Sequence, residues 1–380
     1  MSSLYSQEYL ISIGSSFCPS KQILSVRELP FGNINKTFLV VLKPSSDIES
    51  FVIQEINTSV FSDPEIPMYN WNVISLHISK KIREKKDQTN YKRWDIPTII
   101  PTIDKGKLLL RIDDKYWRAI TFIQSSTSLD KISNAKQAKE VGKGLATFHY
   151  LIKDFPLKRI KKLDNDLHDI TKILSDYDKA LNHFRSKRIS TPSIFKRFSL
   201  LERVVDKHRS GVSILNDAIA RGELMKKPIH GDPKITNFMF DNDTKDIISL
   251  IDLDTLASGI IHYDIGDCIR SCCNLLGEET KDLANISFDL EFCEALLTGY
   301  LSIARKGFSA YDFYYLPYCI KFLPYELAIR FLTDFMNGNI YFKVQYSDQN
   351  LYRAEVQLRL VESIHKQWDG LLELTNMKIA

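Results

Sequence analysis

One short segment carries three polar residues whose spacing restricts how the surrounding chain can fold. Asp232, Lys234 and Asn237 form a D-x-K-x-x-N pattern. A second carboxylate, Asp252, follows at the end of an apolar run. If the four residues act together, the chain must fold so that the end of this run returns beside the D-x-K-x-x-N segment.

The residues between the two carboxylates predict such a return. Strand-forming stretches at 238–241 and 247–251 flank a linker that contains Asp241-Asn242-Asp243-Thr244. Asn and Asp are favoured in tight turns because they tolerate left-handed backbone conformations. We therefore predict a β-hairpin that places Asp252 next to Asn237.

These residue types suit phosphoryl transfer, which needs positioning and charge neutralisation more than covalent help. The spacing resembles that of the protein-kinase catalytic loop. We predict that Asp232 is the catalytic base and that Lys234 reaches the transferred phosphate as a point charge. Asn237 and Asp252 would supply oxygen ligands to Mg²⁺. Each fragment alone is common, and an Asp after a strand is often only a turn residue.

The first third of the chain predicts strands around one helix. Strands at 21–27 and 36–42 flank a connector in which Gly32, Asn33 and Asn35 favour turn conformations. In a kinase this connector would cover the nucleotide phosphates, although a plain hairpin turn has the same pattern. The next strand, 51–54, ends at Gln54.

A helix beginning at Asp63-Pro64 and three further strands complete this part. The helix is predicted from the spacing of its apolar residues: Met68, Trp71, Ile74 and Ile78. The strands are predicted at 98–103, 107–112 and 116–122. Phe122 and Gln124 would then lie in the hinge, where backbone groups meet the adenine of a nucleotide.

Beyond the hinge the pattern becomes helical. Apolar residues of the segment 138–152 recur every three or four positions, which predicts a helix with one apolar face. Further helices are predicted at 166–185, 200–222, 287–304, 323–336 and 355–372. A small β-rich part followed by a larger helical part is the organisation that a kinase requires.

Composition limits the partners and the compartment. The 51 basic and 47 acidic residues leave a net charge of +4, which gives no reason to expect a nucleic-acid partner. No apolar run approaches the roughly 18 residues of a membrane-spanning helix, and no signal peptide is evident. The six cysteines lack a C-x-x-C pair, which favours free thiols. We therefore expect a cytoplasmic protein.

The chain resembles the small-molecule kinases of the aminoglycoside-phosphotransferase fold, and among them the N-acetylhexosamine 1-kinases. The segments that carry this resemblance are 52–57, 60–61, Asn70, 117–118, 122–123, 230–237, 251–255, 264–270, Glu326, 330–334 and 341–342. The resemblance implies an α+β, two-lobed, protein-kinase-like fold. Residues 1–124 would form the nucleotide-binding N-terminal lobe, and residues 125–380 the larger, mainly helical C-terminal lobe.

The resemblance also implies ATP and Mg²⁺ as cosubstrates and a small-molecule sugar as acceptor. Asp232 would be the base, with Asn237 and Asp252 on the metal. Arg330 and Tyr341 would line the sugar pocket, because guanidinium and phenol groups can bind ring and N-acyl oxygens. Gln54 stands where most kinases have a phosphate-binding lysine. The protein would be a monomer or a weak homodimer.

Two other hypotheses stay open. The acceptor could be another alcohol, such as an aminoglycoside or a choline-like or homoserine-like molecule. The protein could also be a catalytically inactive binding protein on a kinase fold, since Gln54 replaces the lysine and the phosphate-covering connector has one glycine.

Several side chains have structural alternatives. Glu326, Arg330 and Asp334 could form a salt-bridge ladder along a helix. Asp264, Asp267 and Arg270 are expected to brace the catalytic loop rather than contact substrate. His168 and His262 are expected to be surface or packing residues.

Overall fold

A computed structural model describes residues 5–19, 22–29, 34–44, 49–84, 93–163, 168–186 and 192–377. Gly32 and Asn33, which the sequence predicts to contact the nucleotide, lie outside the described residues.

The N-terminal part is an antiparallel sheet with a helix against it. Its elements are α1 (Gln7–Ser15), β1 (Ile23–Leu29), β2 (Lys36–Leu42), β3 (Ser50–Ile56), α2 (Glu65–Glu84), β4 (Ile99–Ile100), β5 (Leu110–Ile112) and β6 (Lys115–Thr121). The strand order is β1-β2-β3-β6-β4, with β5 paired to β6. The apolar side chains of α1 pack on one face of this sheet, where Phe38 and Trp117 are fully buried.

Helix α2 matches the prediction from its apolar spacing. Met68, Trp71, Ile74 and Ile78 are buried. The helix begins after Asp63, whose carboxylate accepts a hydrogen bond from the backbone N–H of Glu65 at 3.0 Å. Such a bond satisfies a donor that the first helical turn would otherwise leave free.

The rest of the chain is mainly helical, with short strands on both sides of the segment that contains Asp232, Lys234 and Asn237. Its elements are β7 (Ser126–Thr127), α3 (Ala135–Ile152), α4 (Ile170–Ser186), α5 (Pro192–His208), α6 (Ile214–Ala220), β8 (Lys227–Ile229), β9 (Phe238–Asp241), β10 (Ile247–Leu250), β11 (Ala257–Gly259), α7 (Ile261–Cys272), α8 (Leu290–Ala304), α9 (Ala310–Tyr314), α10 (Leu316–Met336), α11 (Gln349–Lys366) and α12 (Trp368–Met377). The predicted hairpin is β9–β10, whose strands pair antiparallel. The expected α+β kinase-like organisation is confirmed.

Some predicted elements were wrong in extent. The segment 200–222 is not one helix: α5 ends at His208, and Gly211 with φ +79° separates it from α6. The strand predicted at 98–103 is only β4, because it lies between two prolines, Pro97 and Pro101, which cannot donate to a sheet. Helices α1 and α7 were not predicted.

Two expectations from composition were also tested. The six cysteines are free thiols, and only Cys18 is not fully buried. In the part of the chain that the structure describes, none of the helices combines the length and apolarity needed to cross a membrane.

Candidate active site

The loop that follows β8 carries the predicted base. Its backbone is hydrogen-bonded to a side chain of α7. The carboxylate of Asp264 accepts hydrogen bonds from the backbone N–H groups of His230, at 2.7 Å, and Gly231, at 2.8 Å. His149 also bonds to this carboxylate, at 2.8 Å. A buried carboxylate with three partners is well satisfied, so the predicted bracing of the loop by Asp264 is confirmed.

The His230 side chain joins this loop to the strand that precedes Asp252. Its Nδ1 accepts from the backbone N–H of Asp232 at 3.3 Å, and its Nε2 lies 2.9 Å from the carbonyl oxygen of Ile251. Burial lowers the pKa of His230, and a neutral ring protonated on Nε2 satisfies both contacts. The imidazole is therefore a structural link between the two carboxylate-bearing segments.

The four residues of the predicted cluster come together. The Lys234 ammonium donates to Asp232 at 2.7 Å, and the Asn237 side-chain amide donates to the Asp232 carbonyl oxygen at 2.7 Å. The backbone N–H of Ile251 donates to the backbone carbonyl oxygen of Asn237 at 2.9 Å. This hydrogen bond holds Asp252, the next residue, close to Asn237. Asp252 itself has φ +66°, a left-handed conformation. Non-glycine residues in this conformation are often found at functional sites.

The charges in this cluster influence one another. Burial would lower the pKa of Lys234, but the carboxylates of Asp232 and Asp252 outweigh it, so the pKa is raised and the ammonium stays charged. Burial and the neighbouring Asp254 raise the pKa of Asp252 to about 6, against the opposing effect of Lys234. Additional positive charge would therefore favour the ionised form of Asp252.

The donor atoms suit a hard cation held jointly with phosphate. Because its side-chain nitrogen donates to the backbone carbonyl oxygen of Asp232, the Asn237 amide keeps its oxygen as an available ligand. Asp252, one residue after Ile251, would supply a carboxylate oxygen. Among the described residues, no cluster of three or more His, Cys, Asp or Glu side chains could hold a metal. Mg²⁺ in kinases typically takes one or two protein oxygens and completes its shell with phosphates and water, so the residues present fit Mg²⁺ bound with a nucleotide.

A buried ion pair beside this cluster was not predicted. The guanidinium of Arg118 on β6 pairs with both carboxylate oxygens of Asp254, with one N–O distance of 2.8 Å. The two side chains are 1% and 5% exposed. The pair joins the N-terminal sheet to the loop that carries Asp252. Local sequence patterns could not predict this ion pair, because its two partners are 136 residues apart.

Two residues that the sequence predicts to bind nucleotide belong to the surroundings of this pair. Asn35 donates to Asp254 at 2.9 Å and accepts from the backbone N–H of Asn57 at 3.0 Å. Gln54 accepts from Arg118 Nε at 2.8 Å and donates to Thr37 at 3.0 Å. Both side chains are thus hydrogen-bonded within the protein, next to the predicted metal site.

The predicted hinge lies between β6 and β7. Phe122 and Gln124 are half-buried there. The Gln124 carbonyl oxygen accepts from Arg93 at 2.8 Å, and its side chain donates to Ser50 at 2.9 Å. A contact of these residues with adenine stays a prediction.

The two residues predicted to bind sugar also lie together. Arg330 on α10 donates to the Tyr341 hydroxyl at 3.4 Å, and its guanidinium lies 5.5 Å from the Tyr341 ring centre. Glu326 approaches Arg330 to 3.9 Å. Asp334 is not part of a ladder with Arg330: it accepts from three backbone N–H groups of the loop at 340–342. The ladder alternative is therefore wrong for Asp334.

Glu326 connects Arg330 to His168, because its carboxylate contacts both side chains. His168 is a packing residue, as expected: it stacks on Tyr263 at 4.4 Å and bonds to Glu326 at 2.9 Å. Burial lowers the pKa of His168, but Glu326 and, more weakly, Asp267 reverse this, so the pKa is raised. Burial raises the pKa of Asp267, and Asp232 contributes to the rise.

Comparisons with solved structures show the same fold over nearly the whole chain. A microcompartment-associated aminopropanol kinase matches with a TM-score of 0.60 and 14% identity, covering 96% of this chain and 98% of that one. Choline kinase from Cryptosporidium parvum matches with a TM-score of 0.56 and 15% identity, over 97% and 98%. Spectinomycin phosphotransferase in complex with ADP and spectinomycin matches with a TM-score of 0.55 and 14% identity, over 98% of both chains.

A family model gives the closer assignment. The model of the phosphotransferase enzyme family called APH matches residues 96–305. This range is more than half of the 380 residues and contains the catalytic loop, the hairpin and α7. The chain therefore belongs to the APH phosphotransferase enzyme family.

Proposed function

We propose that this protein transfers the γ-phosphate of ATP to a sugar hydroxyl, specifically the anomeric hydroxyl of an N-acetylated hexosamine. The observation that carries the transfer chemistry is that Lys234 and Asn237 both bind Asp232, while the hydrogen bond from Ile251 to Asn237 brings the neighbouring Asp252 close to them. The family membership supports a phosphotransferase with an alcohol acceptor, and the spectinomycin phosphotransferase of the same fold binds ADP.

Each residue has a distinct part in the proposed reaction. Asp232 accepts the proton of the attacking hydroxyl, whose oxygen forms a bond to the γ-phosphorus while the bond to the β–γ bridging oxygen breaks and ADP leaves. Lys234 offsets charge near the transferred group. Asn237 and Asp252 would hold Mg²⁺, which supplies charge neutralisation for the phosphates when bound. Asn35, Gln54, Phe122 and Gln124, with Gly32 and Asn33, would surround the nucleotide.

The proposed acceptor pocket suits an uncharged, oxygen-rich molecule. The guanidinium of Arg330 lies 5.5 Å from the ring centre of Tyr341 and 5.6 Å from that of Phe342. Because this cation already occupies the neighbourhood of both aromatic rings, a quaternary ammonium group would meet repulsion there. Guanidinium and hydroxyl donors, in contrast, match the oxygens of a sugar ring and an N-acyl group. This favours the sugar hypothesis over the choline-like one.

An acceptor screen tests the proposal. ADP release should be measured with N-acetylhexosamines, their methyl glycosides, aminoglycosides, choline, ethanolamine and homoserine, and the product position should be assigned by phosphorus NMR. We expect turnover with free N-acetylhexosamines and none with the methyl glycosides, whose anomeric oxygen is blocked. Turnover only with amino alcohols would overturn the sugar proposal. Nucleotide binding with no turnover on any acceptor would support the inactive binding protein instead.

A variant of the base tests the chemistry independently of the acceptor. Asp232→Asn should lower kcat by about 10²–10⁴-fold, the usual contribution of a positioned base, with ADP affinity little changed. The matched control is Asp246→Asn, an exposed aspartate of the nearby β9–β10 hairpin, which should retain activity. Near-full turnover by Asp232→Asn would exclude this role.

A further inference from the structure

The candidate site has no positively charged side chain at the position on β3 where most kinases have one. Most kinases carry a phosphate-binding lysine at the position of Gln54, and an amide cannot supply that charge. The neighbouring strand provides a buried guanidinium instead. In the register of β3 and β6, Arg118 is the residue directly opposite Gln54, and its Nε donates to Gln54 Oε1 at 2.8 Å.

The position of Arg118 is fixed on several sides. Its guanidinium lies 4.5 Å from the ring centre of Trp71 on α2. One Nη is 3.8 Å from the sulfur of Met68, on the same helix. The terminal nitrogens form a fork on Asp254, a geometry that a lysine cannot reproduce. At 1% exposure, Arg118 has no free surface to offer to a phosphate.

The partner of Arg118 is two residues from the predicted metal ligand. The loop from Asp252 to Asp254 is anchored at its beginning by the hydrogen bond from Ile251 to Asn237. At its end it is anchored by Arg118 and Asn35, which both bind the Asp254 carboxylate. The left-handed backbone of Asp252 lies between these anchors. The direction of the Asp252 carboxylate therefore depends on both.

We propose that Arg118 is a positioning residue for the metal–nucleotide site and fulfils, through Asp254, the organising role of the lysine that this chain lacks. It acts from the N-terminal sheet, by holding the loop at 252–254 in the conformation that aims Asp252 at the metal. It touches neither metal nor nucleotide. The inference rests on the nucleotide-binding part of the proposed function and is independent of the acceptor.

The test separates metal-dependent from metal-independent nucleotide binding. The dissociation constant of ADP should be measured by calorimetry with and without Mg²⁺, for wild type, Arg118→Lys, Arg118→Gln and Asp254→Asn. The ratio of the dissociation constant without Mg²⁺ to that with Mg²⁺ is the factor by which the metal strengthens ADP binding. It measures how well Asp252 and Asn237 bind the metal. Changes in residues that orient metal ligands typically lower metal affinity about 10–100-fold. We expect that loss in the ratio for all three variants, with little change in metal-free ADP affinity.

The matched control is Arg111→Lys on β5. This exposed arginine belongs to the same sheet and pairs with Asp114 at 3.6 Å, so its replacement should leave the ratio unchanged. Thermal unfolding would identify any variant that does not fold at the assay temperature. Arg118→Lys retains the charge and the length of the side chain, so it and Asp254→Asn keep the test informative if Arg118→Gln unfolds.

A double variant tests whether the two residues act as one unit. In Arg118→Gln/Asp254→Asn, the fold-loss in the ratio should be no larger than that of the worse single variant. Multiplied losses would overturn the proposal, because they would mean that the residues act separately. A folded Arg118→Lys with the wild-type ratio would also overturn it, as would an equal loss of ADP affinity with and without Mg²⁺. If wild type bound no ADP at all, the proposed function itself would fail.

Discussion

At the scale of single residues, the candidate site combines features that the sequence does and does not reveal. Asp232, Lys234 and Asn237 were predicted because they lie in one segment, where local spacing determines their relation. Arg118 and Asp254 were not singled out as a pair, because their contact depends on how the sheet packs against the loop at 252–254. The same is true of Gln54 and Asn35, whose hydrogen-bond partners come from other strands and loops.

We predict that the Asp252 carboxylate lowers the stability of the folded protein when no metal is bound. Its pKa is raised by burial and by Asp254 to about 6, compared with about 3.9 in an unfolded chain. Between these two pH values the folded protein therefore binds more protons than the unfolded chain does. The free energy of unfolding of the wild type falls as pH rises through this window. Without nucleotide and metal at pH 8, Asp252→Asn should be more stable than wild type by about 1–3 kcal/mol.

Urea unfolding from pH 4 to pH 8 measures this difference. The stability gap should be small near pH 4, where wild-type Asp252 is protonated in the folded state, should widen between pH 4 and pH 6, and should level off above pH 6. The control Asp246→Asn, on the exposed part of the hairpin, should show no such trend. A gap that stays constant over the whole range would contradict a raised pKa for Asp252.

At the scale of elements, apolar spacing predicts where a helix lies but not where it is interrupted. The spacing of Met68, Trp71, Ile74 and Ile78 was enough for α2, because that helix has one buried face. Helix α7 is buried on all sides and includes the buried polar residues Asp264, Asp267 and Arg270. Its apolar residues Ile261, Ile265, Ile269 and Cys272 nevertheless recur every three or four positions, the same kind of spacing that predicts α2. The break between α5 and α6 depends on a single left-handed glycine, Gly211.

The close packing of α3 on α8 depends on two glycines. A Cβ added at Gly142 would lie 2.0 Å from the Leu296 carbonyl oxygen, and one added at Gly299 would lie 2.0 Å from the Lys139 carbonyl oxygen. Glycine to alanine within a helix usually stabilises by about 0.5–1 kcal/mol. Here Gly142→Ala should instead destabilise by about 1–3 kcal/mol, because the backbones must separate.

Denaturant unfolding checks this prediction, with Gly370→Ala in α12 as control. A Cβ at Gly370 meets only Leu290 Cδ1, at 3.4 Å, so that variant should be neutral or slightly stabilised. Equal stability of the Gly142→Ala variant and wild type would mean that the two helices are farther apart than described.

The loop that carries Tyr341 is folded around one carboxylate. Asp334 accepts from the backbone N–H groups of Ile340, Tyr341 and Phe342 at 2.8, 2.8 and 2.9 Å. Asn350 donates to the same carboxylate at 2.9 Å. Asp334→Asn replaces one acceptor oxygen by a donor, so about 1–3 kcal/mol of hydrogen bonding should be lost. The KM for the sugar should rise, while the KM for ATP should change little.

Steady-state kinetics with both substrates varied measures this effect. Asp369→Asn, an exposed aspartate on α12, is the control and should match wild type. If Asp334→Asn raised only the KM for ATP, the loop would belong to the nucleotide site and not to the acceptor pocket.

At the scale of the whole molecule, one fold accommodates different acceptors. Solved structures that match nearly the full length include kinases of aminopropanol, choline and spectinomycin, at 14–15% identity to this chain. A shared fold therefore gives little information about the acceptor, which must be argued from individual residues. The division into lobes at residue 124 also stays a prediction, although the sheet ends at Thr121 and the first helix beyond it begins at Ala135.

The central claim is that Asp232, Asn237 and Asp252 surround a single metal–nucleotide site between the N-terminal sheet and the helical part. A crystal structure with ADP and Mg²⁺ tests this most directly. We predict Mg²⁺ at about 2.0–2.1 Å from the Asn237 side-chain oxygen and an Asp252 carboxylate oxygen, with Asp232 facing the vacant γ-phosphate position. A nucleotide bound elsewhere, or a metal that contacts neither Asn237 nor Asp252, would contradict the account.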